Sequence, residues 1–216
     1  MRIACVLRSG GIYTPEWVAA LVAGIREHSP ALAKAVVCLT DMDVDVPGVK
    51  VVPLAHDWPG WWAKLELFRR FVVTTDEQLV LYLDLDTVVM GALEPFASYQ
   101  GGFAMLSDFY QPEIPASGVL LFRAGHLAER LYRIVSEDPA KAITSGRRSD
   151  YWYARHILPD RLQELYPGKI VSLKVHCRSG QRPAPDGAAL VCGHGKPHLD
   201  KPTAGWAHQV WRERVA

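Results

Sequence analysis

Apolar and polar positions follow two rhythms along the first half of the chain. Short apolar runs, RIACVLR (2–8), AVVCLT (35–40), VKVVPL (49–54) and QLVLYLD (78–84), have the length and β-branched content of strands. QLVLYLD is apolar on both faces, as an interior strand of a sheet covered on both sides must be. Between these runs lie segments of helical period. Thr14-Pro15-Glu16 reads as a helix start, with Thr at the N-cap and Pro in the first turn, and the helix extends over 15–28. Trp61, Leu65, Phe68 and Val72 recur at i, i+4, i+7 and i+11, the stripe of an amphipathic helix. That stripe puts Trp61 in the core, so that two of the three tryptophans in Asp57-Trp58-Pro59-Gly60-Trp61-Trp62 are expected to pack inside, with Trp58 left open.

The second half is less regular. SGVLLF (117–122), KIVSLKV (169–175) and ALVCG (189–193) read as strands, and 125–138 as a helix. SDYWYARHILPD (149–160) reads as a short helix ended by Pro159. RSGQRPAPDGA (178–188) is a loop, and WAHQVWRERV (206–215) is amphipathic enough to pack on the domain or on a second copy, so a homodimer is possible. The alternation of strand and helix predicts an α/β sandwich around a mostly parallel central sheet, with 1–216 as one domain.

Composition changes this picture little. The 216 residues are 49% apolar and 22% charged, with a net charge of +1, which argues against a nucleic-acid or anionic-membrane surface. WVAALVAGI (17–25) is too short for a membrane span, which needs roughly 20 residues. The N-terminus lacks the small-residue cleavage site of a signal peptide, and a cytoplasmic protein is expected. None of Cys5, Cys38, Cys177 and Cys192 has CxxC spacing, so free thiols are expected rather than a zinc site.

Chemistry enters at LVLYLDLDTVV (79–89), where an apolar strand ends in Asp84 and Asp86. Burying two adjacent carboxylates is costly unless a cation or donors compensate. If extended geometry persists, both point the same way with Leu85 opposite, about 7 Å apart. They lie at the carboxyl end of a strand, where open α/β sheets bind ligands. Mg²⁺ or Mn²⁺ suits such an oxygen-rich pair. The alternative is that both cap the next turn and face water. A second acidic run, Asp41-Met42-Asp43-Val44-Asp45, lacks the Gly and the acidic residue of an EF-hand loop and reads as a solvated loop.

The strand end Asp84-Leu85-Asp86-Thr87-Val88 resembles the first motif of haloacid-dehalogenase-type phosphatases. There, however, this strand opens the core and a late acidic pair follows, whereas here the downstream aspartates stand alone. The chain more fully resembles glycosyltransferase family 8, of GT-A fold, whose members include glycogenin and lipopolysaccharide galactosyltransferases. The likeness runs from about residue 3 to about 200. YLDLDTVVMGALEPF (82–96) is similar to its YLDxDxxV segment, ASGVLLF (116–122) to its NSGV-type strand, SDYWYARHILPD to its Asp-Gln helix, and CGHGKPH (192–198) to its late H…G…KPW segment. The chain departs from the pattern in placing His194 and Lys196 only two apart, and in carrying His198, Tyr151 and Ala116 where Trp, Gln and Asn are usual.

The resemblance implies retaining transfer of a hexose from a UDP-sugar to a saccharide or other hydroxyl acceptor. It implies Asp84, Asp86 and His194 as ligands of Mn²⁺ or Mg²⁺, and Lys196 as a catalytic charge on the leaving diphosphate. Arg8, Ser9, Gly10 and Tyr13 would cradle base and ribose, with Tyr13 stacked on uracil. Lys64, beside the apolar stripe, would reach the cleft. Asp150 would position sugar hydroxyls or steady positive charge at the reacting carbon, and Arg147 and Arg148 would meet phosphate or face water. The other reading is an enzyme-like fold that binds a nucleotide sugar and transfers nothing.

Overall fold

The computed structural model describes residues 1–145 and 149–216; the expectation for Arg147 and Arg148 lies outside them. Ten strands are formed by the described residues: β1 (Arg2–Leu7), β2 (Val36–Thr40), β3 (Val49–Pro53), β4 (Leu79–Leu83), β5 (Thr87–Val89), β6 (Phe103–Ser107), β7 (Pro115–Arg123), β8 (Asp160–Arg161), β9 (Ile170–Ser172) and β10 (Leu190–Cys192). Seven of them make a sheet of order β3-β2-β1-β4-β7-β6-β8. Pairing is parallel throughout except that β7 runs against both β4 and β6. The expected sandwich and mostly parallel mixed sheet are therefore present, and β4 is interior, between β1 and β7.

Side-chain alternation builds the layers. Ile3, Cys5 and Leu7 of β1 and Leu79, Leu81 and Leu83 of β4 face one side. They pack there with helix α1 (Pro15–His28), which matches its expected bounds. Ala4, Val80 and Tyr82 face the other side, against a 3-10 helix (Gly60–Phe68) and helix α2 (His126–Glu137). Three further helices follow α2: α3 (Pro139–Thr144), α4 (Ser149–His156) and α5 (Leu162–Leu165). The last helix, α6 (Trp206–Val215), lies on α1 of the same chain, with Trp17 and Trp211 ring centroids 5.4 Å apart and Arg214 donating to Glu27 at 2.8 Å.

The segments expected as strands at 169–175 and 189–193 supply β9 and β10, which with β5 form a second, three-stranded sheet of order β5-β10-β9. One expectation needs correction. The helix from Trp61 is not an α-helix reaching Val72. It is a 3-10 helix that stops at Phe68, where Arg69 turns extended and Phe71 takes a φ of +62°. At three residues per turn, Trp62, Leu65 and Phe68 share a face, and all three are buried. Trp61 instead shares a face with Lys64 and is 52% exposed, while Trp58 and Trp62 are the two tryptophans that pack inside.

Glu66 of this helix is fully buried, yet accepts from the backbone N–H of Ala55 at 2.6 Å and of His56 at 2.8 Å and pairs with Arg69 at 3.0 Å. Its carboxylate ties the chain after β3 to the helix that carries Lys64. Glu66→Ala leaves those donors without a charged acceptor, and denaturant unfolding is expected to show a loss of about 2–3 kcal/mol.

Candidate active site

The sheet reverses strand order at β1 and β4: the chain builds outward from β1 through β2 and β3, then returns to β1's other side as β4. Loops leaving the carboxyl ends of two such strands diverge and open a crevice. Two adjoining cavities occupy it, of about 550 Å³ and about 500 Å³. The first is lined by the loop after β1, by Pro59, Gly60 and Trp61, and by Tyr82 and Asp84. The second is lined by Asp84, Asp86, Asp108, Phe109, Ser117, Asp150 and His194 among others. Tyr13, Trp61, Lys64 and Asp84 border both.

Extended geometry does not persist through the two aspartates. The Thr87 N–H returns to the Asp84 carbonyl at 3.0 Å, making a turn between β4 and β5 that tucks Leu85 into the core. Both carboxylates nevertheless face the second cavity. The pair is not a solvated cap. Asp84 is gripped by Lys64, whose Nζ lies 2.7 Å from Oδ1 and 2.9 Å from Oδ2, and it accepts from the buried hydroxyl of Tyr82. Its backbone N–H donates to the Gly118 carbonyl at 2.9 Å, which fixes it against β7. Asp86 is buried and accepts from the Tyr13 hydroxyl at 3.2 Å.

Burial, then the neighbouring charge of Asp84, pushes the Asp86 carboxyl from 3.8 up to about 7, against the opposing pull of Lys64 and Tyr13. Because the folded pKa is above the unfolded one, the native state holds this proton more tightly. The resulting stability is full below about pH 4 and is lost as pH rises through about 7. In cation-free buffer the wild type is expected to lose stability relative to Asp86→Asn across that window. The limit is about 1.4 kcal/mol per pH unit. Thermal melts in EDTA across the pH range check it; parallel curves for the two proteins would contradict it.

The small sheet brings the late segment to this turn. β10 runs antiparallel to β5 with Cys192 opposite Thr87, so Gly193 falls beside Asp86 and donates to its carbonyl at 2.8 Å. A Cβ on Gly193 would lie 2.7 Å from that oxygen, so only glycine allows the approach. His194 follows, lining the second cavity. Its Nε2 is 2.6 Å from Ser172 Oγ, at the end of β9, and its ring stacks on Phe109. Burial, then the charge of Lys174, lowers its pKa and so favours neutral imidazole; Asp108 opposes them.

The loop after β1 is braced rather than free. Arg8 pairs with Asp41 and Asp57, and Ser9 donates from its backbone N–H to Asp41 at 2.8 Å. Asp41 thus belongs to the architecture of the site. It is exposed, as expected of a solvated loop, yet it holds Arg8 and Ser9 in place. The available signal was its position directly after β2, on the same edge of the sheet. Gly10, at φ +83°, turns the loop toward Tyr13. The Tyr13 ring meets Trp17 edge-on at 5.0 Å while its hydroxyl serves Asp86. Asp150, in the first turn of α4, is buried and reaches the second cavity. Lys196 is exposed and lines neither cavity; the lysine near His194 is Lys174. Sequence reading also missed Tyr82, Phe109 and Ser172.

The chemistry of the donor set fits a divalent cation at Asp84 and Asp86: two adjacent carboxylates, one of them buried, with its charged form opposed by burial and by its neighbour. No three His, Cys, Asp or Glu side chains are gathered as a metal cluster among the described residues. His194, with Nε2 on Ser172, stands as a neighbour of the pair rather than as its formed third ligand.

This architecture is the GT-A fold, with the crevice and paired carboxylates at the ends of β1 and β4. Among solved structures, the chain is similar to the glycosyltransferase GlyE of Streptococcus pneumoniae TIGR4, with a TM-score of 0.67 and 13% identity, over 99% of this chain and 59% of that one. It is similar to the galactosyltransferase LgtC in complex with donor and acceptor sugar analogs, with a TM-score of 0.64 and 12% identity, over 100% of this chain and 95% of that one. The bifunctional glycosyltransferase WbbM is matched at a TM-score of 0.62 and 13% identity, over 49% of its length. No family model matches the chain, and no curated protein matches it in sequence. Among the described residues no helix is long and apolar enough to cross a membrane.

Proposed function

We propose that the chain transfers a hexose, with retention, from a UDP-sugar to a hydroxyl acceptor, assisted by Mn²⁺ or Mg²⁺. The observation that carries this reading is the Asp84–Asp86 turn, with Asp84 half-buried and Asp86 buried, where two cavities adjoin in the crevice of a GT-A fold. The first cavity, floored by Arg8, Ser9 and Gly10, suits the nucleoside. The second, with Asp150 and His194, suits the hexose and the acceptor hydroxyl. Asp84 and Asp86 would hold the cation, with His194 recruited from Ser172. A cation there supplies charge neutralisation of the leaving diphosphate. Lys64 fixes Asp84 and shields the pair. Lys196 would bring positive charge to the leaving diphosphate, and Lys174, beside His194, is a second candidate for that task.

The chain's resemblance to LgtC, solved with donor and acceptor sugar analogs, supports a bound sugar donor and acceptor here. Four free, buried cysteines suit the reducing cytoplasm. The phosphatase reading loses its ground, since β4 is an interior strand preceded by three others of the sheet and not the strand that opens the core. Incubation with UDP-glucose or UDP-galactose and Mn²⁺ is expected to release UDP, and proton NMR of the product to show the donor's anomeric configuration kept. Inverted product would overturn the retaining mechanism. Tight UDP binding with neither transfer nor slow donor hydrolysis would favour the binding-only reading.

A further inference from the structure

An exposed tryptophan beside a polar cleft calls for a ligand. Trp61 is 52% exposed, although its helix neighbours Trp62, Ala63, Leu65 and Phe68 are buried. Its exposure follows from the helix type: three residues per turn put Trp61 in phase with Lys64, and Lys64 is anchored on Asp84. The indole is thereby held on the rim shared by both cavities. Its backbone carbonyl accepts from the Ser149 hydroxyl at 3.5 Å, next to Asp150. Trp61 lines the second cavity together with Asp84, Asp86, Asp108 and Asp150, and a rigid aromatic face in a cavity with carboxylates is a pairing that a pyranose ring satisfies. The C–H face of the sugar covers the indole, and its hydroxyls turn to the acids.

We infer that Trp61 is the stacking platform for a pyranose ring at the junction of the two cavities, and so sets which saccharide the site accepts. The inference deepens the proposed transfer reaction and rests on it for the identity of the sugar's carrier. The ring belongs either to the nucleotide-linked sugar or to the acceptor; the chemistry is the same for both.

The test compares wild type, Trp61→Phe and Trp61→Ala by calorimetry with Mn²⁺. Three probes are used: UDP, UDP-galactose or UDP-glucose, and free lactose or maltose added to UDP-saturated or unliganded protein. Since Trp61 is on the surface, all three proteins are expected to melt within a few degrees of one another. Because Trp61 also borders the first cavity, UDP affinity is expected to fall by no more than about threefold. Affinity for a saccharide-bearing probe is expected to fall about tenfold in Trp61→Ala and to recover largely in Trp61→Phe, a loss of about 1.4 kcal/mol. A loss on the UDP-sugar alone assigns the donor ring to Trp61; a loss on the free disaccharide assigns the acceptor ring.

Equal losses for UDP and UDP-sugar would overturn the inference, as would unchanged binding of every probe or no saccharide binding by wild type. If wild type binds disaccharide but no UDP, the uridine reading falls by itself. The disaccharide titrations of the three proteins then decide the role of Trp61.

Discussion

Asp86→Asn is expected to reduce Mn²⁺-dependent release of UDP from a UDP-sugar by about a thousandfold. The substitution keeps the shape and the Tyr13 hydrogen bond but removes the negative charge from a buried position beside Asp84. Burial and the charge of Asp84 oppose ionisation of Asp86, so a bound cation would relieve this carboxylate most. With the amide in place, Lys64 alone balances Asp84, and a divalent ion has one anionic ligand in place of two. In the proposed reaction the ion neutralises the departing diphosphate, and its loss is expected to remove most of the rate. The expected signature is a lost response to Mn²⁺ with a stability at neutral pH equal to or above wild type. Activity within tenfold of wild type would remove the cation from this pair.

Asp150→Asn should separate chemistry from binding. Asp150 lines the second cavity and not the first, where the nucleoside is proposed to sit, so UDP affinity is expected to remain within about twofold. Turnover is expected to fall by about a hundredfold or more, the usual cost of removing one preorganised charge from a developing transition state. Positive charge grows at the anomeric carbon as the diphosphate leaves in the proposed reaction, and Asp150, a buried carboxylate in the same cavity as Asp86, is expected to answer it. Single-turnover rates at saturating UDP-sugar give the split. A fall in UDP affinity equal to the fall in rate would assign Asp150 to the nucleotide instead.

Much of this site was legible in the sequence because its carriers are local. Asp84 and Asp86 announce themselves as charges at the end of a doubly apolar run, and Thr14-Pro15 fixes the start of α1. What was not legible depends on contacts between distant segments. The pairing of β5 with β10 decides that Gly193 lies on Asp86, and no local period encodes that register. FAMLS at 103–107, now β6, shows neither alternation nor β-branched residues. Trp61 was misplaced because its spacing to Leu65 and Phe68 fits 3.6 residues per turn, while the segment folds at three. Asp41 looked like a solvated loop residue because its partners, Arg8 and Ser9, come from another strand's end.

The central claim is that the Asp84–Asp86 turn binds a nucleoside diphosphate through a divalent cation. Calorimetric titration of UDP into the wild-type protein, once with Mn²⁺ and once with EDTA, tests it most directly. One-to-one binding is expected with Mn²⁺, and a loss of at least tenfold in affinity with EDTA. Equal binding in both buffers, or none in either, would contradict it.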